Sequence, residues 1–424
     1  MSVHNEDLIK DIGLIFSKLC VIEQKNKWPD PIRFNVTFPK IWNSQRDRLT
    51  EIMYFVTGIL PRLEFKNAKS IQSSAFKFSY TEERMNSKYQ FFSAGIDSTV
   101  LLMHLYKLKS SRVPVFVDKR GPISGPINRS SENLKEINHV IRIRHQKKTN
   151  SSKSLYAPQL RTPLFISAFT LLYHPNRTDL AIAENGPTAI NPAYSASQKP
   201  TWATHPYVLK LMSALIRDVF NWDFSISLPF LNFTKPELIK SLDKTKGKNL
   251  LKYTNSCFSA SRYFRKNSPN GCGVCFSCII RKIAAACGFE LYGNYKKDTL
   301  LNMKSDQKLK NINLELLISY WFRIIKNKPP NYAGFQFPIR KCNYIFPNLD
   351  IEELIRRDAK EMLYGLYQLS KTQKREKSPN IKLFNEYSHI YNVNKKDYSD
   401  FGEELQVNSD RVSQSLKKVS LFQV

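Results

Sequence analysis

The stretch 88–102, KYQFFSAGIDSTVLL, joins a short aromatic run to the apolar spacing of a helix. A strand-to-helix connection needs only a turn residue and a cap, but this one sets Gly95 and Asp97 among hydroxyl side chains. At such a junction the N–H groups of the first helical turn have no intrahelical partner, and the helix dipole favours negative charge. The stretch therefore predicts an anion-binding turn in an α/β unit.

The side chains of this turn fit a polyphosphate. Gly95 lets backbone approach the anion, and the hydroxyl groups of Ser93, Ser98 and Thr99 are hydrogen-bond donors. Asp97 can hold the Mg²⁺ that accompanies a polyphosphate. A helix simply capped by Asp97 or Ser98 is the alternative, and it stays open at this point.

Strand-like and helix-like patterns alternate from residue 88 to about 250. The strand-like runs are KYQFFS, RVPVFVD, HVIRIRH, DLAIAE and DFSISLPF, and the helical patterns lie at 98–109, 129–137, 161–174, 206–221 and 235–244. Such alternation implies right-handed βαβ units. We predict an α/β fold with a doubly wound, five-stranded parallel sheet, whose ligands lie beyond the carboxyl ends of the strands near the topological switch point.

The chain divides into four predicted regions. They are an N-terminal α+β element (1–87), an α/β domain that contains the predicted anion-binding turn (88–250), a cysteine-rich segment (251–300) and a helical C-terminal region (301–424). The first contains the helical run RLTEIMYFVTGIL and the strand RLEFKN. The last contains two helical runs, NINLELLISYWFRIIKN and DIEELIRRDAKEMLYGLYQL. We expect the Lys-, Asn- and Ser-rich end of the chain to be partly loose.

The composition indicates a globular, basic protein. Of 424 residues 42% are hydrophobic, and 65 Lys and Arg against 36 Asp and Glu give a net charge of +29. The charge is scattered in short runs, so a nucleic-acid partner stays open but is not favoured. No leader-like segment and no run of about 18 apolar residues is present, so we expect a cytoplasmic protein without a membrane partner.

Four of the seven cysteines are clustered. Three of them, Cys272, Cys275 and Cys278, lie in the run CGVCFSC, and Cys257 lies upstream of it. Two-residue spacings let thiolates converge on one ion, and the upstream cysteine completes a tetrahedron. We predict a structural Zn²⁺ site. An iron–sulfur cluster is the rival, although no Cys-Pro follows, and three free cysteines in a core are the remaining alternative. The lack of a leader argues against a disulfide framework.

The turn SAGIDS resembles the PP-loop of the ATP pyrophosphatase superfamily, whose signature is Ser-Gly-Gly-x-Asp-Ser. These enzymes split ATP between the α and β phosphates and leave an adenylate on the substrate. The resemblance implies that ATP binds along the turn formed by Ser93, Ala94, Gly95, Ile96, Asp97, Ser98 and Thr99. Ala94 stands where the family has its first glycine, and a positive φ there would cost alanine about 1 kcal/mol or more. We predict ATP binding nonetheless.

The PP-loop together with Cys…CGVCFSC and the basic helix IIRKIAAA resembles 7-cyano-7-deazaguanine synthase, the QueC family, over roughly residues 88–290. The N-terminal LTEIMYFVTGILPRLEF and the segment AENGPTAINPAYSASQKPTWATHPYVLKLM, leading to LPFLNFTKPELIKSL, resemble the longer, QatC-like members found in bacterial anti-phage operons. The resemblance covers two motifs that are specific as a pair.

This resemblance implies a ligase of the queuosine biosynthesis type. ATP would activate the carboxylate of 7-carboxy-7-deazaguanine as an acyl adenylate, and an amine would attack the acyl carbon. With ammonia the product is an amide, which the synthase dehydrates to a nitrile with a second ATP. The defence-type relatives are expected to stop at the amide or to transfer the acyl group to an operon-encoded protein acceptor. A homodimer also stays open.

One acidic residue and one amide residue are candidates for the substrate site. Glu184 ends the strand DLAIAE beside Asn185, where ligands lie in such sheets. A deazaguanine presents N1–H and a 2-amino group side by side, and one carboxylate satisfies both donors. We predict that Glu184 and Asn185 bind the substrate. The alternative is that Glu184 merely caps the next segment.

Basic residues are candidates for the phosphates. We predict that Asp97, Ser98 and Lys235 take part in catalysis, with Lys235 and Arg281 neutralising phosphate charge. In TKPEL, a capping box of Thr and Glu is an equally good explanation of the local sequence. The histidine of Thr-His-Pro is either a base or a packed turn residue.

Two other functions compete with this hypothesis. A tRNA-modifying PP-loop enzyme, of the lysidine synthase or thiolase type, would suit the basic charge. A non-catalytic nucleotide-binding scaffold is the second, because of Ala94. RNA binding that weakens with salt would favour the tRNA-modifying enzyme. Pyrophosphate release would argue against the non-catalytic scaffold.

Overall fold

The computed structural model describes most of the chain, namely residues 3–19, 21–23, 31–68, 76–79, 88–93, 95–118, 141–145, 154–156, 162–163, 166, 178–196, 201–242, 254, 271–288, 308–371, 379–417 and 422–423. No helix in these ranges is long and apolar enough to cross a membrane. Ala94, Cys257 and the helix predicted at 129–137 lie outside them. Of the helix predicted at 161–174, only residues 162, 163 and 166 are described.

Helices and strands follow one another along the described residues. The helices are α1 (Val3–Leu19), α2 (Pro39–Ser44), α3 (Arg46–Thr57), α4 (Ile96–Lys107), α5 (Gly186–Ile190), α6 (Pro206–Phe220), α7 (Lys235–Lys240), α8 (Phe276–Gly288), α9 (Lys308–Ile325), α10 (Ala333–Ile345), α11 (Ile351–Ser370), α12 (Pro379–Ile390) and α13 (Lys395–Lys417). The strands are β1 (Val21–Glu23), β2 (Ile32–Val36), β3 (Leu63–Asn67), β4 (Phe76–Ser79), β5 (Lys88–Phe91), β6 (Val113–Asp118), β7 (Ile141–His145), β8 (Ser154–Tyr156), β9 (Thr178–Ile182), β10 (Phe224–Leu228) and β11 (Phe422–Gln423).

The main sheet has seven strands in the order β11-β10-β9-β5-β6-β7-β4. The five inner strands are parallel and correspond to the five runs predicted from the sequence. The predicted strand count of five is nevertheless wrong for the sheet, because β4 and β11 pair antiparallel with its two edges. Both edge strands are short, with four residues in β4 and two in β11.

The topological switch point lies between β5 and β9. From β5 the chain proceeds to β6 and β7 on one side, and then returns to place β9 and β10 on the other. Both β9 and β10 are buried at four of five positions, as expected for strands covered on both faces. The turn after β5 and the turn after β9 therefore open into the same crevice.

The N-terminal element is built on a parallel pair, β2 and β3, with α2 packed against β3 and α3 packed against α2. The buried carboxylate of Asp11 on α1 ties these elements together. It accepts hydrogen bonds from the backbone N–H of Thr37 at 2.9 Å and from the indole N–H of Trp42 at 2.9 Å. Burial raises the pKa of the Asp11 carboxyl group, and the hydrogen bonds from Thr37 and Trp42 oppose this rise.

The C-terminal region is helical, as predicted, and α11 is its central helix. This helix packs against α5, α7 and α8 near the sheet and against α9, α10 and α13 on its other sides. The expectation of a partly loose end is wrong for residues 379–417, which form α12 and α13. Buried apolar side chains from all these regions belong to one continuous core.

Candidate active site

The turn predicted to bind an anion connects β5 to α4. Gly95 is the N-cap residue of α4, in extended conformation, and no side chain caps the helix. The hydroxyl groups of Ser93 and Ser98 lie 3.2 Å apart, and those of Ser98 and Thr99 donate to the carbonyl of Gly95. Neither Asp97 nor Ser98 is therefore the cap, and among the described residues no side chain caps the N–H groups of the first turn.

Asp97 follows one strand of the sheet and contacts residues that follow two others. Its carboxylate is buried, and the Lys235 ammonium lies 2.5 Å from its Oδ1. The amide Nδ2 of Asn185 donates to its Oδ2 at 2.6 Å, and the backbone N–H of Asn185 approaches the same oxygen at 3.3 Å. The structure thus brings together predicted residues that follow β5, β9 and β10.

Asn185 caps a short helix and also contacts Asp97. It is buried and is the N-cap residue of α5, where its side chain accepts the backbone N–H of Thr188 at 3.1 Å. The remaining amide hydrogens point to Asp97 and to the Thr188 hydroxyl. Asn185 therefore orients Asp97, and its substrate-binding role stays a prediction.

Glu184 is half-buried at the end of β9 and belongs to the same electrostatic group. Burial raises its pKa to about 7, the negative charge of Asp97 adds to the rise, and the Lys235 ammonium opposes it. The residue that caps α5 is Asn185, so the alternative role of Glu184 as a cap is wrong.

The segment around Lys235 contains the capping box that the sequence offered as an explanation. The Thr234 side chain accepts from the backbone N–H of Glu237, and the Glu237 carboxylate accepts the N–H of Thr234 at 2.8 Å. This capping box fixes the start of α7. Because Lys235 is the first residue of that helix, the box also aims its ammonium at Asp97.

Arg281 and His205 are both buried polar residues. Arg281 on α8 is buried and donates to the hydroxyl of Thr254 at 2.9 Å. His205 is fully buried as the N-cap of α6, where Nδ1 accepts the N–H of Tyr207 and Nε2 lies 2.9 Å from the carbonyl oxygen of Pro338. Burial lowers the pKa of His205 to about 3. It is a neutral packing residue, with Nε2–H donating to Pro338.

Sequence reasoning missed a group of polar residues that α11 brings to this side of the sheet. Glu361 contacts the hydroxyl of Thr234, and the guanidinium of Arg357 lies 3.6 Å from Glu237 and donates to the carbonyl of Asn232. Burial is the largest cause of the raised pKa of Glu361. The available signal was the presence of acidic residues within the apolar stripe of DIEELIRRDAKEM.

The sulfur atoms of Cys272, Cys275 and Cys278 all lie within 4.8 Å of one another. Cys272 and Cys278 are 3.9 Å apart, close to the spacing of about 3.8 Å that two sulfurs have on a tetrahedral zinc. Gly273, at φ 77°, makes the tight turn between them, and the backbone N–H groups of Val274 and Cys275 donate to the sulfur of Cys272. The three thiols could hold one metal ion, with zinc as a fitting choice.

One family model matches part of the chain. It is described as Queuosine biosynthesis protein QueC, and the match covers residues 204–288. These residues include Lys235 and the three close cysteines but not the PP-loop turn. The match supports a QueC-like, ATP-using enzyme of the PP-loop kind. No curated protein and no solved structure matches this chain.

Proposed function

We propose that this protein uses ATP to adenylate the carboxylate of 7-carboxy-7-deazaguanine and transfers the acyl group to an amine. The observation that carries the proposal is that Lys235 and Asn185 both contact Asp97. This residue belongs to the predicted anion-binding turn, which lies at the switch point of the sheet. Such a site offers N–H donors for phosphate and a carboxylate-bound cation beside them. The match to QueC supports the choice of substrate class.

The residues present fit ATP with Mg²⁺. The first-turn N–H groups of α4 would bind the phosphates, and Asp97 supplies the hard oxygen ligand that Mg²⁺ prefers. Mg²⁺ would neutralise the charge of the departing pyrophosphate. Lys235, which is paired with Asp97, would neutralise charge on the α-phosphate. The three close thiols would hold a structural zinc away from the reacting atoms.

Glu184 is the proposed contact to the base. Its half-buried carboxyl group sits beside the site and matches the adjacent N1–H and 2-amino donors of a deazaguanine. Binding of this donor pair is expected to favour the ionised form of Glu184.

The acceptor amine is either ammonia or an amine of a partner protein. The second choice follows the resemblance to the longer proteins of anti-phage operons, in which an operon-encoded protein would accept the acyl group. The intact mass of a co-expressed operon partner tests it. An increase equal to the deazaguanine acyl group supports protein transfer, and an unchanged mass alongside free amide favours ammonia.

The experiment that tests the proposed function is pyrophosphate release from ATP and Mg²⁺, with and without 7-carboxy-7-deazaguanine. We expect release that requires the deazaguanine and that falls at least about a hundredfold in Asp97→Asn. Asp218→Asn, which alters an exposed ion pair with Arg48, is the matched control and should be unaffected. Release without the deazaguanine but with tRNA would favour the tRNA-modifying alternative, and no release would favour the scaffold.

A further inference from the structure

Helix α11 packs on the two turns that supply the partners of Asp97. A methyl group added to Gly186, next to Asn185, would lie 2.4 Å from Leu354 Cδ2, so Leu354 packs directly on the turn after β9. The backbone N–H of Gly186 donates to the carbonyl oxygen of Phe233 at 2.9 Å, which joins this turn to the turn after β10. The helix therefore lies where the two turns meet.

Two polar side chains of α11 bind the turn after β10. The guanidinium of Arg357 donates to the carbonyl oxygen of Asn232 at 2.9 Å. Four residues further along the helix, the carboxyl group of Glu361 accepts a hydrogen bond from the hydroxyl of Thr234. Lys235 follows Thr234 directly and is the first residue of α7. A chain of contacts therefore links Glu361 to a residue of the candidate active site.

Thr234 bridges Glu361 and a second buried carboxyl group, that of Glu237. Its backbone N–H donates to Glu237 Oε2 at 2.8 Å, and its hydroxyl donates to Glu361 Oε2. Both glutamates are buried, with exposed fractions of 0% for Glu237 and 2% for Glu361. The guanidinium Nε of Arg357 lies 3.6 Å from Glu237 Oε1 and forms an ion pair with it. One threonine thus holds two buried carboxyl groups, and the cation lies on the Glu237 side.

Each of these carboxyl groups has one buried oxygen that lacks a donor. Among the described residues, no hydrogen-bond donor reaches Glu237 Oε1 or Glu361 Oε1. Two carboxylates can only accept hydrogen bonds, and two negative charges buried side by side are unfavourable. A carboxylic acid also donates, so one retained proton satisfies both oxygens. Glu237 faces Arg357 and accepts the N–H of Thr234, which favour its ionised form, so the proton belongs on Glu361.

The pKa shifts of the two glutamates agree with this placement of the proton. Burial raises the pKa of Glu237, and Arg357, the backbone N–H of Thr234 and a hydrogen bond with the Glu361 side chain oppose the rise. Burial also raises the pKa of Glu361, and there the charge of Glu237 adds to the rise. The other titratable or charged groups that interact with this pair are Asp358 on α11, Cys287 on α8 and Arg411 on α13.

We propose that Glu361 is a positioning residue of the active site. As a neutral carboxylic acid it accepts a hydrogen bond from Thr234 and donates its own hydrogen to Glu237. This bridge fixes the start of α7, from which the Lys235 ammonium reaches Asp97. The effect on turnover rests on the proposed function, whereas the acid pair does not. Glu361 lies outside the segment that matches QueC, so the C-terminal region contributes to the site.

The first test detects the proton on Glu361 and requires no activity. Infrared spectra of the full-length unaltered protein and of Glu361→Gln are compared near neutral pH, in the region of the carbonyl band of a protonated carboxylic acid. We expect the unaltered protein to show one such band that the variant lacks, and this band should shift in heavy water. Identical bands in the two proteins would overturn the neutral acid.

The second test measures deazaguanine-dependent exchange of labelled pyrophosphate into ATP. A glutamine at position 361 can accept from Thr234 and donate to Glu237, so Glu361→Gln should exchange within about twofold of the unaltered rate. Glu361→Leu makes neither bond, and its kcat should be at least about tenfold lower because Lys235 is misplaced. The KM for 7-carboxy-7-deazaguanine should stay within about twofold, since Lys235 acts on phosphate. Glu352→Gln, on the exposed face of α11, should change neither value.

A third variant tests whether Glu361 acts through Thr234. Thr234→Val removes the linking hydroxyl without a change in α11, and its kcat should also fall at least about tenfold. The double variant with Glu361→Leu should be within about threefold of the slower single variant, because both changes break one link. Multiplied losses, or equal losses in Glu361→Gln and Glu361→Leu, would overturn the positioning role. Absence of exchange in the unaltered protein would overturn the proposed function and this role, while the infrared band would still decide the acid pair.

Discussion

At the residue scale, the site depends on how Asp97 is held. Its two carboxylate oxygens face different partners, the ammonium of Lys235 and the amide of Asn185. An arrangement of this kind fixes the rotamer before a ligand arrives, which is the general requirement for precise placement of a metal or phosphate. Glu184 has no comparable pair of partners among the residues that the structure describes, and the charges of Asp97 and Lys235 shift its pKa in opposite directions.

Glu184→Gln tests the role of that carboxyl group. An amide can accept only one of the two hydrogen bonds from the base and carries no charge, so the KM for 7-carboxy-7-deazaguanine should rise about tenfold or more. The KM for ATP should change little. Steady-state kinetics with each substrate varied in turn provide the measurement.

The control for this variant is Glu64→Gln, which removes a carboxylate from a surface ion pair with Arg33. It should leave both KM values unchanged. Equal increases of the two KM values in Glu184→Gln would argue against a contact to the base.

At the element scale, α11 joins the C-terminal region to the α/β domain. Gly365 allows its close packing on α8, because an added Cβ would lie 2.5 Å from the carbonyl oxygen of Ile283 and 2.8 Å from the sulfur of Cys287. Further toward the N-terminus of the helix, Glu361 and Arg357 meet the polar start of α7. The helix therefore holds both a tight backbone contact and a buried polar network.

Gly365→Ala is expected to lower the free energy of unfolding by about 1–3 kcal/mol, because the new methyl group meets backbone that cannot move independently. Urea unfolding monitored by circular dichroism measures it. Gly288→Ala is the control, since its Cβ would make only ordinary contacts at 3.4 Å and beyond. Equal midpoints for the two variants would show that α11 does not pack this tightly on α8.

Glu361→Gln is expected to change how stability depends on pH. Burial and the nearby Glu237 carboxylate raise the pKa of Glu361 well above its ordinary value. A carboxyl group with a raised pKa in the folded state stabilises the fold at low pH, and this stability is lost as pH rises through the raised pKa. The urea midpoint of the unaltered protein should therefore fall more between about pH 5 and pH 8 than that of Glu361→Gln.

A matched substitution on the exposed side of the same helix is Glu353→Gln, whose partner is the exposed Arg356. Its midpoint should follow the pH dependence of the unaltered protein. If Glu361→Gln did so too, its carboxyl group would not titrate in a buried setting.

The elements differ in how well the sequence predicts them. The five inner strands and α4, α6, α9 and α11 have long or clear apolar periodicity and were expected at nearly their observed positions. The edge strands β4 and β11 are short, and each depends on pairing with a strand that is distant in the sequence. Glu361 was missed because an acidic residue in a helix is ordinarily on the solvent face, and only packing against α7 and α8 buries it.

At the scale of the whole molecule, the N-terminal element, the sheet and the C-terminal helices contribute to one continuous apolar core. The cluster of Cys272, Cys275 and Cys278 forms a small separate core at the start of α8. A metal ion there would fix that end of α8, and Phe276 on its first turn packs on Tyr194 at 5.5 Å. Loss of the metal is therefore expected to loosen the contact between Phe276 and Tyr194.

Metal removal supplies a prediction at this scale. We expect anaerobically purified protein to contain about one zinc per chain, and Cys275→Ser to lose most of it and unfold at lower urea. Cys342→Ala, at a buried cysteine on α10 outside the cluster, should keep its zinc. Acid-labile sulfide with visible absorbance would instead identify an iron–sulfur cluster.

The measurement that tests the proposed chemistry most directly follows one oxygen atom. The substrate, 7-carboxy-7-deazaguanine, is labelled with heavy oxygen in its carboxylate and incubated with the protein, ATP, Mg²⁺ and ammonium. Adenylation forms a bond from a carboxylate oxygen to the α-phosphorus, and amine attack then breaks the acyl C–O bond. AMP is therefore expected to carry one heavy oxygen. AMP without the label, or a label found in inorganic phosphate, would contradict an acyl adenylate.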